Sequence, residues 1–489
     1  MERTPHLHPF DRYAPYTDLP ALLAASDRPL RKSMRVNTLK SSIPAFLAWA
    51  ERRKWEVTPV PWCPEAFFIE RVDREEALGK DLLHLLGHTY MQEAASMLPV
   101  ALLDPKPGET VLDMSAAPGS KTTQIAGRMQ GKAASAKATV AGGVIVANDV
   151  QEKRLWTLKS SLHRLGVTNV VVTKKVGQWF SKNMTERFDR VLCDAPCTAQ
   201  GTARKDSDAL TYCSLENIGK MARLQRELLE SAVNAAKVGG TIVYSTCTLT
   251  PEENEEVVRS ILNKYIDQLE IVDPRSIGAD AWGLGKAIED SMLVQEKALG
   301  VDSPIPLLRL WPQTYDTEGF FAAVLRKRAP TRAPIELDWE PYEEKPLPRS
   351  RQREIAGVLE ERYGVAFVQE GELLLERGDQ LLLSTGEVGG FGLPVHDYSL
   401  GLPFARRLDS NRVRLSQEVA TLRGAGATKN ALTLNDADLN TLLHGGDPMC
   451  AGELRGDVLL LYRDLCVGSS LAQEGKLRNR LPRWMVAKA

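Results

Sequence analysis

From Gly108 onward the chain alternates short apolar runs with helical patterns: ETVLDMS, GGVIVAND, NVVVT, FDRVLCD and GGTIVYST are separated by longer polar-apolar segments. This alternation leaves few choices of fold, because parallel strands need a crossover, and the crossover helix must bury its apolar face on the sheet. The intervening segments have that face. Leu155, Leu158, Leu162 and Leu165 recur at helical spacing, as do Ile218, Met221, Leu224, Leu228 and Val233 ahead of the Gly239–Gly240 stop. These leucines read as core. GKAASAKATVAGG, between the first helix and the second strand, has the low complexity of a surface loop. RLWPQTYDTEGFFAAVLRK reads as two strands joined by a polar turn, an antiparallel pair at the sheet's edge. The expected fold class is α/β, a mainly parallel, helix-covered sheet with an antiparallel edge hairpin.

A single core does not extend over 489 residues, so this segment is one domain among several. The first hundred or so residues read as helices with short extended pieces, RVNTLKSS entering a segment with Phe46, Leu47 and Trp49. After Arg328, APTRAPIELDWEPYEEKPLPRS has the Pro and charge content of a linker. Beyond it, ERYGVAFVQEGELLLERGDQLLLSTGE and GDVLLLYRDLCVGSSLAQEG read as short strands with Gly turns. The expected boundaries are 1–105, 106–328, a linker at 329–349, and a mixed or β region at 350–489 divided into two small subdomains.

The formal net charge of -1 gives no whole-chain attraction to polyanions, so any nucleic-acid site has to be a local patch. Two basic runs qualify. One contains Arg28, Arg31, Lys32, Arg35, Lys40, Arg52, Arg53 and Lys54 against only Asp27 and Glu51; the other contains Lys476, Arg478, Arg480, Arg483 and Lys488. Each reads equally as a solvated face. The seven cysteines are odd in number and lack a disulfide rhythm, which points to a reducing compartment. MERTPHLHPFDRYAP lacks an apolar signal region, and no apolar run approaches the roughly eighteen residues of a membrane span. A cytoplasmic monomer without membrane contact is expected.

The strand ends carry the candidate chemistry. ETVLDMS runs into AAPGSKTTQIAGRM, a turn where backbone N–H groups at a helix start can hold a ligand; a plain strand-to-helix turn reads the same way, and the spacing fits neither GxGxxG nor a Walker loop. GGVIVAND ends in Asn148 and Asp149, placed to accept from ribose hydroxyls or to cap the next helix. FDRVLCDAPCTAQGTARKD puts Asp194 and Cys197 at one strand tip, and VYSTCTLTPEENEEV puts Cys247 at the next. Cys193, Cys197, Cys213 and Cys247 are enough thiols for zinc, but Cys193 points to the opposite side of its strand from Asp194 and no His lies near, so no metal is expected. A cysteine hydrolase needs a paired His, and the domain offers only His163, on a helix.

SAAPGSKT (Ser115 to Thr122), DAPCTAQGTARKD (Asp194 to Asp206) and YSTCTLTPEENE (Tyr244 to Glu255) resemble three signature motifs of the NOL–NOP–Sun-type RNA (cytosine-5) methyltransferases. RVNTLK, MQEAASMLPV and EGFFAAVLRK are similar to that family's flanking segments, so the resemblance covers most of the first 328 residues in order. GKLRNRLPRWMV is similar to the PUA-like C-terminal region of RsmF-type bacterial enzymes acting on small-subunit rRNA.

The resemblance implies a class I Rossmann-like methyltransferase that uses S-adenosyl-L-methionine and takes RNA as its partner, either small-subunit rRNA or the assembled 30S subunit. It implies a cofactor site at Ser115, Ala116, Ala117, Pro118, Gly119, Ser120, Lys121, Asp149 and Asp194. Cys247 maps onto the nucleophile and Cys197 onto the second cysteine, which assists product release. Ser115 and Ser120 depart from the family's usual Cys and Gly, and Val176 stands where an acid is common near the adenine. C5 of cytosine is a poor nucleophile until a thiolate adds at C6, which is the role implied for Cys247, while Asp194 serves N3. Lys121, Lys205 or helix N-termini are the candidates for lowering the thiol's pKa. Two other readings are a catalytically silent RNA-binding assembly factor and a cytosine-5 methyltransferase acting on tRNA or another RNA.

Overall fold

Five apolar runs form the parallel half of the central sheet, in the spatial order Val170–Thr173, Val144–Asn148, Thr110–Asp113, Phe188–Asp194 and Ala236–Thr246. The chain leaves the middle of the sheet in one direction and returns to build the other side. The order therefore reverses between Thr110–Asp113 and Phe188–Asp194, and the carboxyl ends at such a reversal frame a ligand crevice. Phe320–Lys327 pairs antiparallel with Ala236–Thr246 and is followed outward by Ile305–Leu310 and Leu293–Val294. The expected hairpin is present, with a short helix, Pro312–Tyr315, in its turn. This computed structural model describes residues 8–72, 77–129, 142–277, 288–294, 305–333, 345–393, 398–409, 412–452 and 454–486. Most of the GKAASAKATVAGG loop, the middle of the expected linker and Lys488 lie outside them.

The crossover helices behave as their periodicity requires. Leu155, Leu158, Leu162 and Leu165 are all buried on Glu152–Leu165. Leu215–Ala235 ends at Ala235, and the next strand begins at Ala236, before the Gly239–Gly240 pair expected to stop the helix.

The N-terminal region is richer in strand than the sequence suggested. Trp55–Val60, Cys63–Arg71, Lys32–Val36 and Thr89–Met91 form an antiparallel sheet in that order. Cys63–Arg71 is buried on both faces over most of its length, so it lacks the alternation that marks a half-exposed strand.

Two further four-stranded sheets follow Arg349–Tyr363: Glu372–Arg377, Gln380–Thr385, Leu402–Arg407, Val413–Leu415, and then Ala431–Thr433, Gly456–Tyr462, Leu465–Gln473, Lys476–Arg478. Neither hangs free. Ser399–Leu400 adds a strand to the central sheet beside Val170–Thr173, and Leu375, Leu382 and Leu393 share an apolar cluster with Val144 and Val171. The last sheet packs against the first: Met34, Val36 and Phe46 share a cluster with Leu460, Leu477 and Met485. Lys40 ties three regions through one amine, donating to Leu86 O at 2.9 Å, Arg164 O at 2.8 Å and Thr421 Oγ1 at 2.8 Å.

Candidate active site

Cys247 follows directly on Ala236–Thr246, and its Sγ lies 3.3 Å from Cys197 Sγ on the neighbouring strand's loop. Both are free thiols and partly exposed. The two loops are laced at the backbone. Gly201 N donates to Cys247 O at 2.9 Å, and Gly319 N donates to Gly201 O at 2.9 Å. Gly201 has to be glycine here, since a Cβ would run into the carbonyl oxygens of Gly319 and Cys247. The hydrogen bond to Cys247, followed by burial, pushes the Cys197 thiol well above its ordinary pKa. The two sulfurs share this one contact, in which either thiol can be the donor.

Beneath the thiols sits a buried carboxylate, Glu253. Its oxygens accept from Thr198 N at 3.0 Å, Gln225 Nε2 at 2.7 Å, Thr250 Oγ1 at 2.9 Å and Thr198 Oγ1. Gln225 Nε2 also donates to Pro196 O at 2.8 Å, so Glu253 fixes the Cys197 loop at two points while belonging to the Cys247 loop. Asn254 continues the brace, accepting from Thr246 Oγ1 at 2.6 Å and donating to Thr248 O at 3.1 Å. Two other acids of this stretch are also anchors: Glu255 pairs with Arg309, and Glu252 with Arg12 at 2.6 Å. Glu252, Glu253 and Glu255 thus brace the loops. The sequence offered one signal for this, acids packed among threonines and followed by a helix.

Asp194 stands at the tip beside Cys197, with both oxygens accepting: Oδ1 from Ser245 Oγ at 2.7 Å, and Oδ2 from Lys121 Nζ at 2.8 Å. Lys121, grouped by sequence with the cofactor loop, is directed at Asp194 and at Ser96 Oγ, 3.0 Å away. Ser96 N donates to Glu93 at 3.1 Å, and the other Glu93 oxygen takes Glu318 N at 3.1 Å. Burial, then the negative charge of Glu93, pushes Glu318 up to about 7, and its Oε1 is buried without a hydrogen-bond partner. Glu93 and Glu318 were not singled out from the sequence. Nothing in either segment's pattern announces that two acids far apart in the chain will meet.

The cofactor candidates collect at the crevice. Ala116 N donates to Asn148 O at 2.7 Å, and Gly119, with φ at 104°, carries the chain into Ser120–Met129. Ala116, Ala117 and Gly119 are buried, Ser115 and Ser120 half-buried, and Pro118 is the exposed tip. Asp149 is only 2% exposed; Oδ1 accepts from Gln151 N at 2.9 Å, while Oδ2 has no hydrogen bond and lies 3.3 Å from Arg154 Nη1. It does not cap the following helix, whose cap residue is Gln151. A buried acid with one unsatisfied oxygen beside a small-residue loop fits a ribose diol. Val176 is 55% exposed and supplies no polar group. Asn148 does supply structure: its side chain bonds Met114 O, Lys175 O, Lys175 N and Thr173 Oγ1, joining three strand tips.

Several cations of the two basic runs are engaged within the fold. Arg35 is buried and bonded to Gln92, Thr123 and Ser120; Lys40 is the three-way tie; Arg53 pairs with Asp81. In the tail, Arg478 pairs with Asp447 and Arg480 with Asp457. Arg28, an exposed cation of the first run, comes up beside the loop that follows Cys197, where Arg204 donates to Arg28 O and Pro29 O.

A reversed parallel sheet with a crevice at its strand tips and an antiparallel strand beside its last parallel one defines a class I methyltransferase fold, with the thiol pair at two of those tips. Residues 100–326 match the family of 16S rRNA methyltransferases RsmB/F, and residues 12–94 match the N-terminal domain of 16S rRNA methyltransferase RsmF. The chain is 37% identical to ribosomal RNA small subunit methyltransferase F of Aeromonas hydrophila, covering 95% of this chain and 93% of that one. It is 36% identical to the protein of the same name from Escherichia coli O157:H7, over 95% and 92%. Among solved structures, a methyltransferase homologue from Pyrococcus horikoshii is 32% identical over 65% of this chain and 93% of that chain, with a TM-score of 0.51. The chain belongs to the RsmB/F family of methyltransferases, which bears out the resemblance read from its motifs.

Proposed function

We propose that this chain methylates C5 of a cytosine in small-subunit rRNA through a covalent Cys247 adduct. The observation that carries this reading is the 3.3 Å approach of the two sulfurs at adjacent strand tips. Bound S-adenosylmethionine supplies an electrophilic methyl group. Ser115 to Lys121 and Asp149 hold it, and the unsatisfied Asp149 Oδ2 takes a ribose hydroxyl. The Cys247 thiolate adds to C6, and the electron pair displaced from the C5–C6 double bond makes C5 nucleophilic. Asp194, held by Lys121 and Ser245, stands at the base edge, and the proton or hydrogen bond that N3 needs as negative charge develops there comes through it from the Lys121 ammonium. After methyl transfer, which leaves S-adenosylhomocysteine, solvent water takes the C5 proton, its C–H electron pair restores the C5–C6 double bond, and the S–C6 bond breaks with its pair returning to Cys247 sulfur. Cys197, with its sulfur 3.3 Å from Cys247 Sγ, is near enough to stabilise the departing thiolate by a hydrogen bond.

Residues 1–105 and 350–489 act as RNA-binding appendages of a methyltransferase unit at 106–328, the last of them PUA-like. The chain works as a cytoplasmic monomer on rRNA or the assembled subunit, and no helix among its described residues is long and apolar enough to cross a membrane. The test is bisulfite sequencing of in vitro-transcribed 16S rRNA after incubation with enzyme and cofactor. One protected cytosine is expected. Transcript left without 5-methylcytosine while the protein still binds it would favour the silent assembly factor.

A further inference from the structure

A groove adjoins the catalytic loops without belonging to them. It encloses about 390 Å³ and is lined by Arg28, Arg31, Thr58, Pro59, Phe68 and Tyr315, among others. The N-terminal sheet forms one side, and the short helix Pro312–Tyr315 with Asp316 the other. The Arg31 guanidinium carbon is 3.9 Å from the centre of the Phe68 ring, a flat cation stacked on an aromatic. Trp62 supports Tyr315 edge-on, with ring centres 5.7 Å apart and planes at 83°. The acids nearby are already engaged: Asp316 takes Arg204 at 2.7 Å, and Glu70 lies 3.4 Å from Arg31.

Arg204 connects this groove to the chemistry. It follows Cys197 on the same loop, its side chain is 1% exposed, and it donates to Arg28 O at 3.2 Å, Pro29 O at 3.0 Å and Thr317 O at 3.1 Å. Two residues on, Gly319 N joins Gly201 and through it Cys247. The groove and the thiols are thus held in one frame by the Arg204 side chain and the backbone hydrogen bonds of Gly201 and Gly319.

A cytosine that meets both Cys247 and a methyl donor has to leave its stack, and the strand beside it bends out as well. An unstacked ribonucleotide is held by aromatic rings, by guanidinium planes and by cations at its phosphate. We propose that this groove takes the nucleotide adjoining the target cytosine, its base on the Arg31–Phe68 stack and its phosphate at Arg28. The assignment rests on the methyltransferase reading above.

The test is steady-state methyl transfer to in vitro-transcribed 16S rRNA, with binding of the same transcript followed across a salt series. The double variant Arg28→Ala/Arg31→Ala should raise KM for the transcript about tenfold or more, leave kcat and cofactor affinity near native values, and make the salt dependence shallower by about 0.7 for each phosphate no longer neutralised. Arg31→Lys keeps the charge without the plane and should fall between the two. A double variant with native KM and salt slope, beside an active native enzyme, overturns the groove and leaves the function standing. A loss confined to kcat also overturns it, because it marks these arginines as supports of the loop. A native enzyme that neither methylates nor binds the transcript defeats the proposed function, and the groove assignment with it.

Discussion

The thiol loops and the basic run from Asp27 to Lys54 are equally conspicuous in the sequence, but they fold in different ways. In the loops, residues adjacent in sequence stay together in space: Thr246, Thr248, Thr250, Glu253 and Asn254 bond to one another and to Thr198, under Cys247. In the basic run, Arg35 goes inward to brace Ser120 and Thr123, Lys40 joins three regions, and Arg28 and Arg31 reach a groove by the active site. A motif whose polar groups satisfy each other carries its own geometry. A run of like charges carries none, because each cation finds its partner elsewhere.

The sharpest way to break this contrast is at the sulfurs. Cys247→Ala should lose all measurable methyl transfer, at least about a 10⁴-fold drop, and form no RNA adduct. Cys197→Ala should also be slow, yet accumulate a covalent protein–RNA complex, visible on a denaturing gel with rRNA and cofactor. A shifted band from Cys247→Ala and none from Cys197→Ala would reverse the two roles. Cofactor affinity measured by calorimetry should be near native in both variants and weakened in Asp149→Ala.

Glu253 tests whether the loops are one unit. Glu253→Ala leaves Thr198 N, Gln225 Nε2 and Thr250 Oγ1 without their acceptor in a dry site, a cost on the order of 4 kcal/mol. Melting temperature should fall, and in whatever protein stays folded kcat should fall more than KM changes, because the two sulfurs lose their common support. A variant with a lowered melting point and native kcat would make Glu253 a purely structural anchor.

Much of the central domain was legible because its signals are local. Strand ends, crossover periodicity and the turn chemistry of SAAPGSKT lie within a few residues of what they build. What was not legible depends on partners far along the chain. Ser399–Leu400 is too short to show a period, yet it extends the central sheet. Residues 1–105 read as a domain of their own, yet Met34 and Phe46 pack with Leu477 and Met485. Within the site, Lys121 was grouped with the cofactor loop, and only the fold shows it turned to Asp194.

Glu318 has a buried oxygen without a hydrogen bond and should reveal itself by pH. Its carboxyl is raised from the ordinary 4.5 to about 7, so the folded chain holds a proton that the unfolded chain has released. The stabilising contribution is present below about pH 4.5 and is lost as pH rises through about 7, a difference of about 3 kcal/mol. Glu93 is also raised by burial, so the two carboxyls titrate together. Glu318→Gln should melt near native at pH 4 and above native at pH 8. An offset independent of pH would show that the buried acid is not held protonated.

The smallest effects sharpen the contrast within the basic run itself. Arg35 donates to Gln92 Oε1 at 2.9 Å and Thr123 Oγ1 at 2.8 Å, and reaches Ser120 O at 3.3 Å, so it braces the cofactor helix from the N-terminal sheet. Arg35→Ala removes three bonds from a buried site and should cost about 2 kcal/mol, lowering the melting temperature and weakening cofactor binding. Its effect on the salt dependence of RNA binding should be nil, because a buried guanidinium releases no counterions. Arg52 is exposed, with its guanidinium 5.6 Å from the Trp49 ring, and Arg52→Ala should change stability by no more than about 0.5 kcal/mol. Thermal melts and a salt series on the two variants together decide the matter. If Arg35→Ala flattens the salt slope while its melting point holds, the run acts as one surface after all, and the contrast with the thiol loops fails.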